Sequence, residues 1–192
     1  RQRQMCIRDS DTLNWWLWLA LYNESWVFRR VIDKPSQDMI RCGITLAGSN
    51  PKFSNVMRKL QAKRTDFINL LQWGSLFGGS IACVLFDNFS DEDYKRPINI
   101  EKARKAKTMR FYVVDRWYGV APSSEMVDDM NSIDYGKPQT YNVTFADGVT
   151  KTMHHDFVLR YEHRTAPKLI KNGQLQGWGL SLIHISEPTR PI

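Results

Sequence analysis

Residues 73–86 read WGSLFGGSIACVLF and decide the fold, because they predict a helix that turns directly into a buried strand. Gly78 and Gly79 tolerate backbone conformations that other residues avoid, so the pair suits a tight turn. Residues 81–86 form a continuous apolar run bounded by turn residues, which is typical of a strand covered on both faces. We therefore expect a helix-to-strand junction at the glycine pair.

The same glycines invite a phosphate-loop interpretation, which the neighbouring residues argue against. A phosphate loop needs Lys and then Ser or Thr after its last glycine, to reach the phosphate and the magnesium ion. Here Ser80 and Ile81 follow instead. The glycines also precede a strand, so no helix N-terminus would face an anion. We expect no cofactor at this turn.

Downstream of the buried strand, the pattern first predicts a loop. Residues 88–108 carry an acidic run at 91–93 followed by lysines and arginines, and we interpret them as a surface loop. Residues 111–114 predict a second strand, which closes at Ala121 and Pro122.

The clearest local signal downstream is a β-hairpin at residues 138–149. Apolar and polar side chains alternate over residues 141–145, and Asp147 with Gly148 supplies the turn. Residues 157–161 predict a further strand. The order of the elements indicates an α+β fold with N-terminal helices and a mainly antiparallel sheet.

Upstream of the junction, the sequence predicts helices. Residues 11–34 are interpreted as a helix broken near Asn23, with Pro35 forcing its end. Ser36 is positioned to cap a short second helix that ends at Gly43.

Three tryptophans, Trp15, Trp16 and Trp18, cannot share one helical stripe, so the first helix is apolar nearly all round. Such a helix must be covered. Either chain beyond this segment covers it, or a neighbouring subunit does, which an aromatic-rich and charge-poor surface would suit.

Ser54 opens another predicted helix, which runs to about Trp73. One side is apolar, and the opposite side carries four basic residues that we call the basic patch. This patch is either a solvated surface or a contact with DNA or another subunit. Its members are Arg58, Lys59, Lys63 and Arg64.

Composition bounds the class of protein. The chain has 192 residues, a formal net charge of +7, and hydrophobic and charged fractions of 42% and 24%. These values suit a soluble chain that forms one domain or most of one. The modest positive charge is compatible with nearby DNA but is below that of a dedicated nucleic-acid-binding protein. No apolar run approaches the ~20 residues that span a membrane.

The cysteines predict no disulfide and no metal site. Apart from Cys6, which belongs to a terminal segment that we do not assign to the native protein, Cys42 and Cys83 each lie in an apolar context, with no CxxC spacing and no histidine nearby in the sequence. We interpret both as small core residues of a protein in a reducing compartment.

His154, His155 and Asp156 form the only dense run of potential metal ligands. On an extended segment, His154 and Asp156 share one face and could share an ion, whereas His155 points away. No third ligand is identifiable. We therefore interpret the run as a turn or strand entry in which Asp156 bonds local backbone, and we predict no metal.

Two H-x-[ST] motifs, at residues 163–165 and 184–186, would together suggest a two-histidine phosphodiesterase. The second lies in a terminal segment that we do not assign to the native protein. No Ser-His-Asp, Cys-His or paired-carboxylate arrangement stands out elsewhere. We predict that the chain is not an enzyme.

The two ends of the chain resemble each other at the DNA level in a way that indicates they are not part of the native protein. Codons for residues 5–10, read on the opposite strand, can spell residues 180–185, and both flanks resemble translated sequencing adapters. We therefore expect residues 1–10 and 180–192 to be adapter-derived. Residues 11–179 would then be an internal fragment of a longer gene.

Six segments, taken in order, resemble successive parts of the tailed-bacteriophage portal protein family. The similar branch has a domain also described as the N-terminal domain of anti-CBASS-like phage proteins. The order and spacing of the segments carry the resemblance. They are LYNESWVFRRVIDKPSQDMIRCG (21–43), FINLLQWGSLFGGSIACVLFD (67–87), MRFYVVDRWYGVAP (109–122), YGKPQTYNV (135–143), HHDFVLRYEHRTAP (154–167) and QGWG (176–179).

The resemblance implies structural residues and no catalytic ones. His163 departs from the family pattern, in which glycine is expected at that position. The residues that match the family are Asp33, Pro35, Asp38, Arg41, Gly78, Gly79, Asp115, Arg116, Arg160, Trp178 and Gly179.

By the same resemblance, the chain would be the wing-like domain of a ring-forming portal subunit in the virion. It would conduct double-stranded DNA without reading sequence, and would meet terminase, capsid and tail or head-completion proteins. Two alternatives stay open. The segment could begin an anti-CBASS-type cyclic-nucleotide phosphodiesterase, or it could be a monomeric nucleic-acid-binding module.

Overall fold

The computed structural model describes residues 15–44, 52–117, 119–132, 134–164 and Trp178. Gly179 and the predicted adapter-derived ends lie outside these ranges, so the three-part division of the chain stays a prediction. Within the described residues, helices are followed by two antiparallel sheets, which confirms the α+β class.

Among the described residues, four helices come first along the chain and the strands follow, with two short helices between the first two strands. A 3₁₀ turn at His155–Phe157 separates the last two strands. In chain order the elements are α1 (Trp15–Glu24), α2 (Trp26–Ile40), α3 (Lys52–Gln61), α4 (Arg64–Phe77), β1 (Gly79–Phe86), α5 (Asp91–Tyr94), α6 (Ile100–Arg104), β2 (Met109–Asp115), β3 (Val120–Pro122), β4 (Thr140–Thr144), β5 (Thr150–His154) and β6 (Val158–Glu162).

Ser25 separates α1 from α2 and caps the second helix. Its hydroxyl oxygen accepts a hydrogen bond from the Phe28 N–H at 3.3 Å, the role that serine favours at a helix start. The break predicted near Asn23 is therefore confirmed, two residues further along. The buried stripe of α2 contains Ile32 and Ser36 and packs on α4.

The predicted helix end at Pro35 is wrong, because α2 continues through Pro35 to Ile40. Proline disfavours a helix interior, but Pro35 lies on the exposed side while the opposite stripe packs on α4. Ser36 does not cap a second helix. It is buried, and its hydroxyl donates to the Ile32 carbonyl at 3.2 Å within the same helix.

The single helix predicted from Ser54 to Trp73 is two helices, α3 and α4. The Lys63 N–H bonds the Leu60 carbonyl at 2.9 Å, a tight turn that closes α3 before α4 begins. α4 ends where Gly78 takes a left-handed φ of 84°. The predicted helix-to-strand junction at the glycine pair is confirmed.

β1 is the central strand of the first sheet, whose order is β2-β1-β6 with antiparallel neighbours. Residues 79–83 are buried and residues 84–86 are half-buried, so the burial predicted for the apolar run 81–86 is confirmed only for its first half. α4 covers one face of this sheet, and the Ser80 hydroxyl donates to the Leu70 carbonyl there. Ile81 and Cys83 belong to the core on the other face.

The second sheet has the order β3-β4-β5, and its β4–β5 hairpin confirms the hairpin prediction. Gly148 takes a φ of 79° in the turn. The strand predicted to run on to Pro122 is two strands in different sheets, β2 and β3. The chain turns after β2, where the Asp115 carboxylate accepts the Trp117 N–H at 2.8 Å.

Residues 88–108, predicted as a surface loop, contain α5 and α6. Ser90 and Asp93 form a capping box at the start of α5, and the Asn99 side chain caps α6. Tyr94 is buried, and its hydroxyl donates to the Phe86 carbonyl at 3.1 Å. The segment is therefore anchored to β1.

The main core lies between the two sheets, and a smaller cluster joins α2 to α4. Cys83 is in the core as predicted, and burial raises the pKa of its thiol to about 12. Cys42, also predicted as a core residue, is exposed just after α2. The main core contains Ile81, Cys83, Tyr94, Tyr141, Val143, Met153, Phe157 and Trp178.

None of the helices described is both long enough and apolar enough to cross a membrane.

Candidate functional site

Asp33 is the centre of a polar contact between three helices. One carboxylate oxygen, Oδ1, accepts hydrogen bonds from the Tyr22 hydroxyl at 2.7 Å and from the Gln72 amide at 2.8 Å. Burial, followed by the hydrogen bond to Asp33, raises the pKa of Tyr22 to about 12. The contact fixes α1 and α4 to α2 and gives the family-matching Asp33 a structural role.

The other family-matching residues of α2 lie on its outer side. Asp38 pairs with Lys34 one turn earlier, and this contact lowers the pKa of the Asp38 carboxyl. Pro35 and Arg41 are exposed, and the Arg41 N–H bonds the Asp38 carbonyl at 3.2 Å where the helix ends. Asp33 alone among these four contacts α1 and α4 through the bonds described.

Gly79, Trp178 and Arg160 form a stacked contact at the start of β1, which we call the tryptophan contact. A Cβ atom on Gly79 would lie 2.2 Å from Cε3 of Trp178, so the indole rests on bare backbone. The Arg160 guanidinium carbon lies 4.0 Å from the centroid of the Trp178 ring. The same guanidinium also donates to Glu162 at 2.9 Å and to the Tyr141 hydroxyl at 3.2 Å.

Arg116 lies beside this contact at the end of β2. Its side chain is 7% exposed, and its backbone N–H bonds the Gly79 carbonyl at 3.2 Å. Its guanidinium carbon lies 4.3 Å from the Trp117 ring centroid. Burial, and then the charge of Arg160, lowers the pKa of Arg116 to about 10.

The structure therefore brings together residues that are far apart in the sequence: Gly79, Arg116, Arg160 and Trp178. Sequence reasoning missed their partners Tyr141 and Glu162, and also missed Tyr22 and Gln72 around Asp33. The alternation over residues 141–145 placed Tyr141 on a buried face, but nothing local identified Arg160 as its partner.

The basic patch spans the break between α3 and α4. Lys63 is half-buried, and Arg58, Lys59 and Arg64 are exposed. Among the described residues, none of the four pairs with a carboxylate. The N-terminus of α4 adds the positive end of the helix dipole at Arg64. Uncompensated positive charge favours an anionic partner.

α1 and α2 also expose several apolar side chains, which we call the apolar helix face: Trp16, Leu17, Trp26, Val27 and Val31. Trp26 is 78% exposed and the other four are roughly half-exposed. Trp18 instead turns inward and stacks on Phe28, with ring centroids 6.4 Å apart. Trp16 and Trp18 therefore lie on different sides of α1, as predicted.

A sequence profile of the family described as phage portal protein matches residues 16–187. The chain belongs to the phage portal protein family. The match includes both sheets, the tryptophan contact and all eleven residues assigned by resemblance, and it continues past the predicted boundary at residue 179. Family membership gives the chain a portal-related structural role, and its place in the anti-CBASS-like branch stays a prediction.

An uncharacterized protein of Haemophilus influenzae (strain ATCC 51907 / DSM 11121 / KW20 / Rd) is 25% identical to this portal family member over 170 residues. The alignment covers 84% of the present chain and 35% of that relative. The chain thus spans little more than a third of the curated relative that it matches.

The run His154-His155-Asp156 enters the predicted turn, but its side-chain geometry differs from the prediction. β5 ends at His154 and a 3₁₀ turn follows, so His155 does not point away from its neighbours. One potential ligand atom from each of the three residues lies within 4.8 Å of the others. Asp156 also bonds distant rather than local backbone, since Oδ2 accepts the Ile98 N–H at 3.0 Å.

His163, part of the first H-x-[ST] motif, is half-buried between α4 and β6. Its Nδ1 lies 3.2 Å from the Ser75 hydroxyl and 3.4 Å from the Tyr161 hydroxyl. Burial, and then Arg164, lowers the pKa of His163. Thr165 and the whole second motif lie outside the described residues, so the two-histidine pair stays untested.

Proposed function

We propose that this chain is the wing-like part of a portal subunit, which assembles with copies of itself into a ring at the capsid vertex. Double-stranded DNA would pass through the ring during packaging and ejection, without contacts that read its bases. The family match over residues 16–187 is the observation that carries this proposal. Nothing in the role requires bond-breaking chemistry from this chain.

The proposed location is the virion, at the portal vertex, after assembly in the host cytoplasm. The proposed partners are terminase, capsid proteins and tail or head-completion proteins. ATP hydrolysis would belong to the terminase.

The apolar helix face supports ring assembly. A closed ring of identical subunits needs two different complementary faces on each subunit. Aromatic residues are enriched and charged residues are depleted at the centres of protein interfaces. Trp26 and its neighbours provide such a surface for a neighbouring subunit. The alternative is that another part of the same full-length subunit covers it.

The decisive experiment is imaging of the full-length protein that contains this segment. We expect closed rings by negative-stain electron microscopy and a mass of many subunits by light scattering. A full-length product that stays monomeric at high concentration would contradict the proposal.

A matched pair of variants assigns the ring contact. Trp26→Lys places a charge in the apolar helix face, and we expect it to shift rings toward smaller species. Met130→Lys, at a residue that is 73% exposed in the segment between β3 and β4, is the control and should leave rings intact. If the Trp26 variant melts at a lower temperature but keeps its rings, the helix face is covered within one subunit.

The basic patch supports the DNA-conducting part of the role, and it is also the basis of the nucleic-acid-module alternative. Replacing its four residues by Gln should weaken binding to duplex DNA and reduce the slope of log affinity against log salt by up to about 3 to 4. The control replaces Arg96, Arg104, Lys105 and Lys107, which are exposed elsewhere. Equal loss in both variants would mean that net charge alone acts, and unchanged affinity in the first would exclude the patch.

The phosphodiesterase alternative makes a distinct demand. It needs a second H-x-[ST] motif on another strand of the full-length protein, and hydrolysis of cyclic nucleotides that His163→Gln abolishes. Rings without such turnover would support the portal proposal, and turnover by a monomer would replace it.

A further inference from the structure

The 3₁₀ turn after β5 brings two imidazole rings and a carboxylate to one point. Nδ1 of His154 lies 3.3 Å from Oδ2 of Asp156, and Nε2 of His155 lies 3.3 Å from Oδ1 of the same carboxylate. The two imidazole rings are neighbours, with centroids 4.1 Å apart. The side chains are 8%, 18% and 29% exposed in that order, so the group opens to solvent on the Asp156 side.

Hydrogen bonding fixes which nitrogen of His155 carries a lone pair. Nδ1 of His155 lies 3.2 Å from the Gln139 carbonyl oxygen, and a carbonyl can only accept, so Nδ1 is protonated. In neutral His155, Nε2 therefore presents a lone pair toward Asp156. This is the arrangement of many metal-binding histidines, whose other ring nitrogen donates to a backbone carbonyl.

His154 presents Nδ1 to Asp156. When Nδ1 of His154 is unprotonated, it accepts the Asp156 backbone N–H at 3.3 Å, and an ion bound to this nitrogen would displace that contact. With both rings neutral, one potential ligand atom from each of the three residues lies within 4.8 Å of the others.

We infer that His154, His155 and Asp156 bind one divalent transition-metal ion of the zinc class. Two imidazoles with one carboxylate form a ligand set that zinc accepts, with a fourth position left for water or another residue. Ligand atoms around a tetrahedral zinc ion are separated by roughly 3.3 Å, given Zn–N and Zn–O bonds of about 2.0 to 2.2 Å. Magnesium and calcium, which prefer oxygen ligands, should bind far more weakly.

The surrounding contacts would hold the ligands in place before the ion arrives. The Gln139 carbonyl orients His155, and the Ile98 N–H bonds Oδ2 of Asp156 at 3.0 Å. An ion here would fix the conformation of the turn between β5 and β6, whose Asp156 already accepts a hydrogen bond from the segment before α6.

A proton is the competing occupant. If His155 is an imidazolium, both of its nitrogens donate, one to Gln139 and the other to Asp156, and the group is an ordinary ion pair. This ion pair needs no metal, so neither zinc nor magnesium would bind the group saturably.

The test is titration of the purified, metal-stripped 192-residue chain with Zn²⁺ and with Co²⁺ at neutral pH. We expect one ion per chain by calorimetry, a visible d–d band for cobalt, and no saturable magnesium binding. Asp156→Asn keeps an acceptor for the Ile98 N–H but removes the charge, and His155→Gln removes a ligand. Each should weaken zinc binding by a factor on the order of 100.

Matched controls are His163→Gln, at a ring that contacts Ser75, and Asp134→Asn, at a carboxylate that pairs with Lys137. Both should bind zinc like the unaltered chain. Histidine ring ¹⁵N shifts in the unaltered chain give a readout that does not depend on variant folding, because zinc should move Nδ1 of His154 and Nε2 of His155. Absence of saturable zinc binding, ring shifts that zinc leaves unchanged, or equal affinity in all four variants would overturn the inference.

Discussion

Gly78 and Gly79 are adjacent and chemically identical, yet different constraints require glycine at each. Gly78 needs a left-handed backbone, with φ of 84°, whereas Gly79 needs space for the Trp178 ring. The first constraint is one of conformation and the second is one of volume. Substitutions at the two positions should therefore fail for separable reasons.

Gly79→Ala should lower the free energy of unfolding by about 1 to 3 kcal/mol, the usual cost of overpacking a core. The added Cβ would lie 2.2 Å from Trp178, so the ring or the strand must move. Urea denaturation followed by circular dichroism measures the change.

Two comparisons make this prediction specific. Gly148→Ala, where φ is 79° and no heavy atom lies within 4 Å of the added Cβ, reports backbone strain alone. In a Trp178→Ala background, Gly79→Ala should cost little, because its steric partner is gone. An equal cost with and without Trp178 would show that the ring does not set the requirement.

At the scale of elements, the sequence predicted what depends on neighbours along the chain. The glycine pair, the strand that follows it and the Asp147-Gly148 hairpin are all local signals, and all three are confirmed. Pro35 misled because its local cost is offset by packing of α2 on α4, which the local pattern does not reveal. The capping box at Ser90 was present in the sequence, but a helix of four residues has too little periodicity to be recognised.

The candidate sites were harder to predict for a geometric reason. Asp33 meets Gln72 and Gly79 meets Trp178, and each pair is distant in sequence, so only the folded chain shows the partners. The His154 run failed differently: its residues were identified, but the assumption of an extended backbone separated His155 from the others.

Pro35→Ala should raise the free energy of unfolding by about 2 kcal/mol. Removing the proline should recover the ~3 kcal/mol that it costs inside a helix. The unfolded alanine variant is more flexible, and this lowers the net gain by ~1 kcal/mol. Met39→Ala, at an exposed position of the same helix, should change stability by less than about 0.5 kcal/mol. Chemical denaturation compares the two, and a destabilised Pro35 variant would show that the proline fits α2 without strain.

Tyr22 gives the helices a dependence on alkaline pH. Its pKa is about 12 in the folded chain and near the ordinary value of 10.0 when unfolded, so the folded state holds this proton more tightly. The stability that results is fully present below pH 10 and is lost as the pH rises toward 12.

We therefore expect the stability difference between the unaltered chain and Tyr22→Phe to shrink over this pH range, measured by urea denaturation at several pH values. Tyr135→Phe, at an exposed tyrosine, is the control. A difference that stays constant with pH would contradict the raised pKa of Tyr22 in the folded chain.

At the scale of the whole molecule, the layers follow one another from α2 to α4, then to the first sheet, the main core and the second sheet. Phe157 is fully buried in that core, with its ring 5.0 Å from Tyr94 and 5.6 Å from Phe89. The turn after β5 therefore packs against α5 and against the segment that follows β1.

Phe157→Ala should lower the free energy of unfolding by about 3 to 5 kcal/mol. Leu159→Ala, at a residue that is 41% exposed two positions away, should have a much smaller effect. Tryptophan fluorescence and circular dichroism should give coincident transitions in urea for the unaltered chain. Two separated transitions would mean that the sheets unfold independently.

α4 passes directly into β1, so no flexible linker separates the helical layer from the central strand of the first sheet. Gly78 is the single residue between them, and the next strand residue is already clamped under an indole ring. A force on the helices would therefore be transmitted directly to the first sheet, because no flexible loop lies between α4 and β1. If the chain assembles into the proposed ring, such stiffness would transmit strain from one subunit contact to the next.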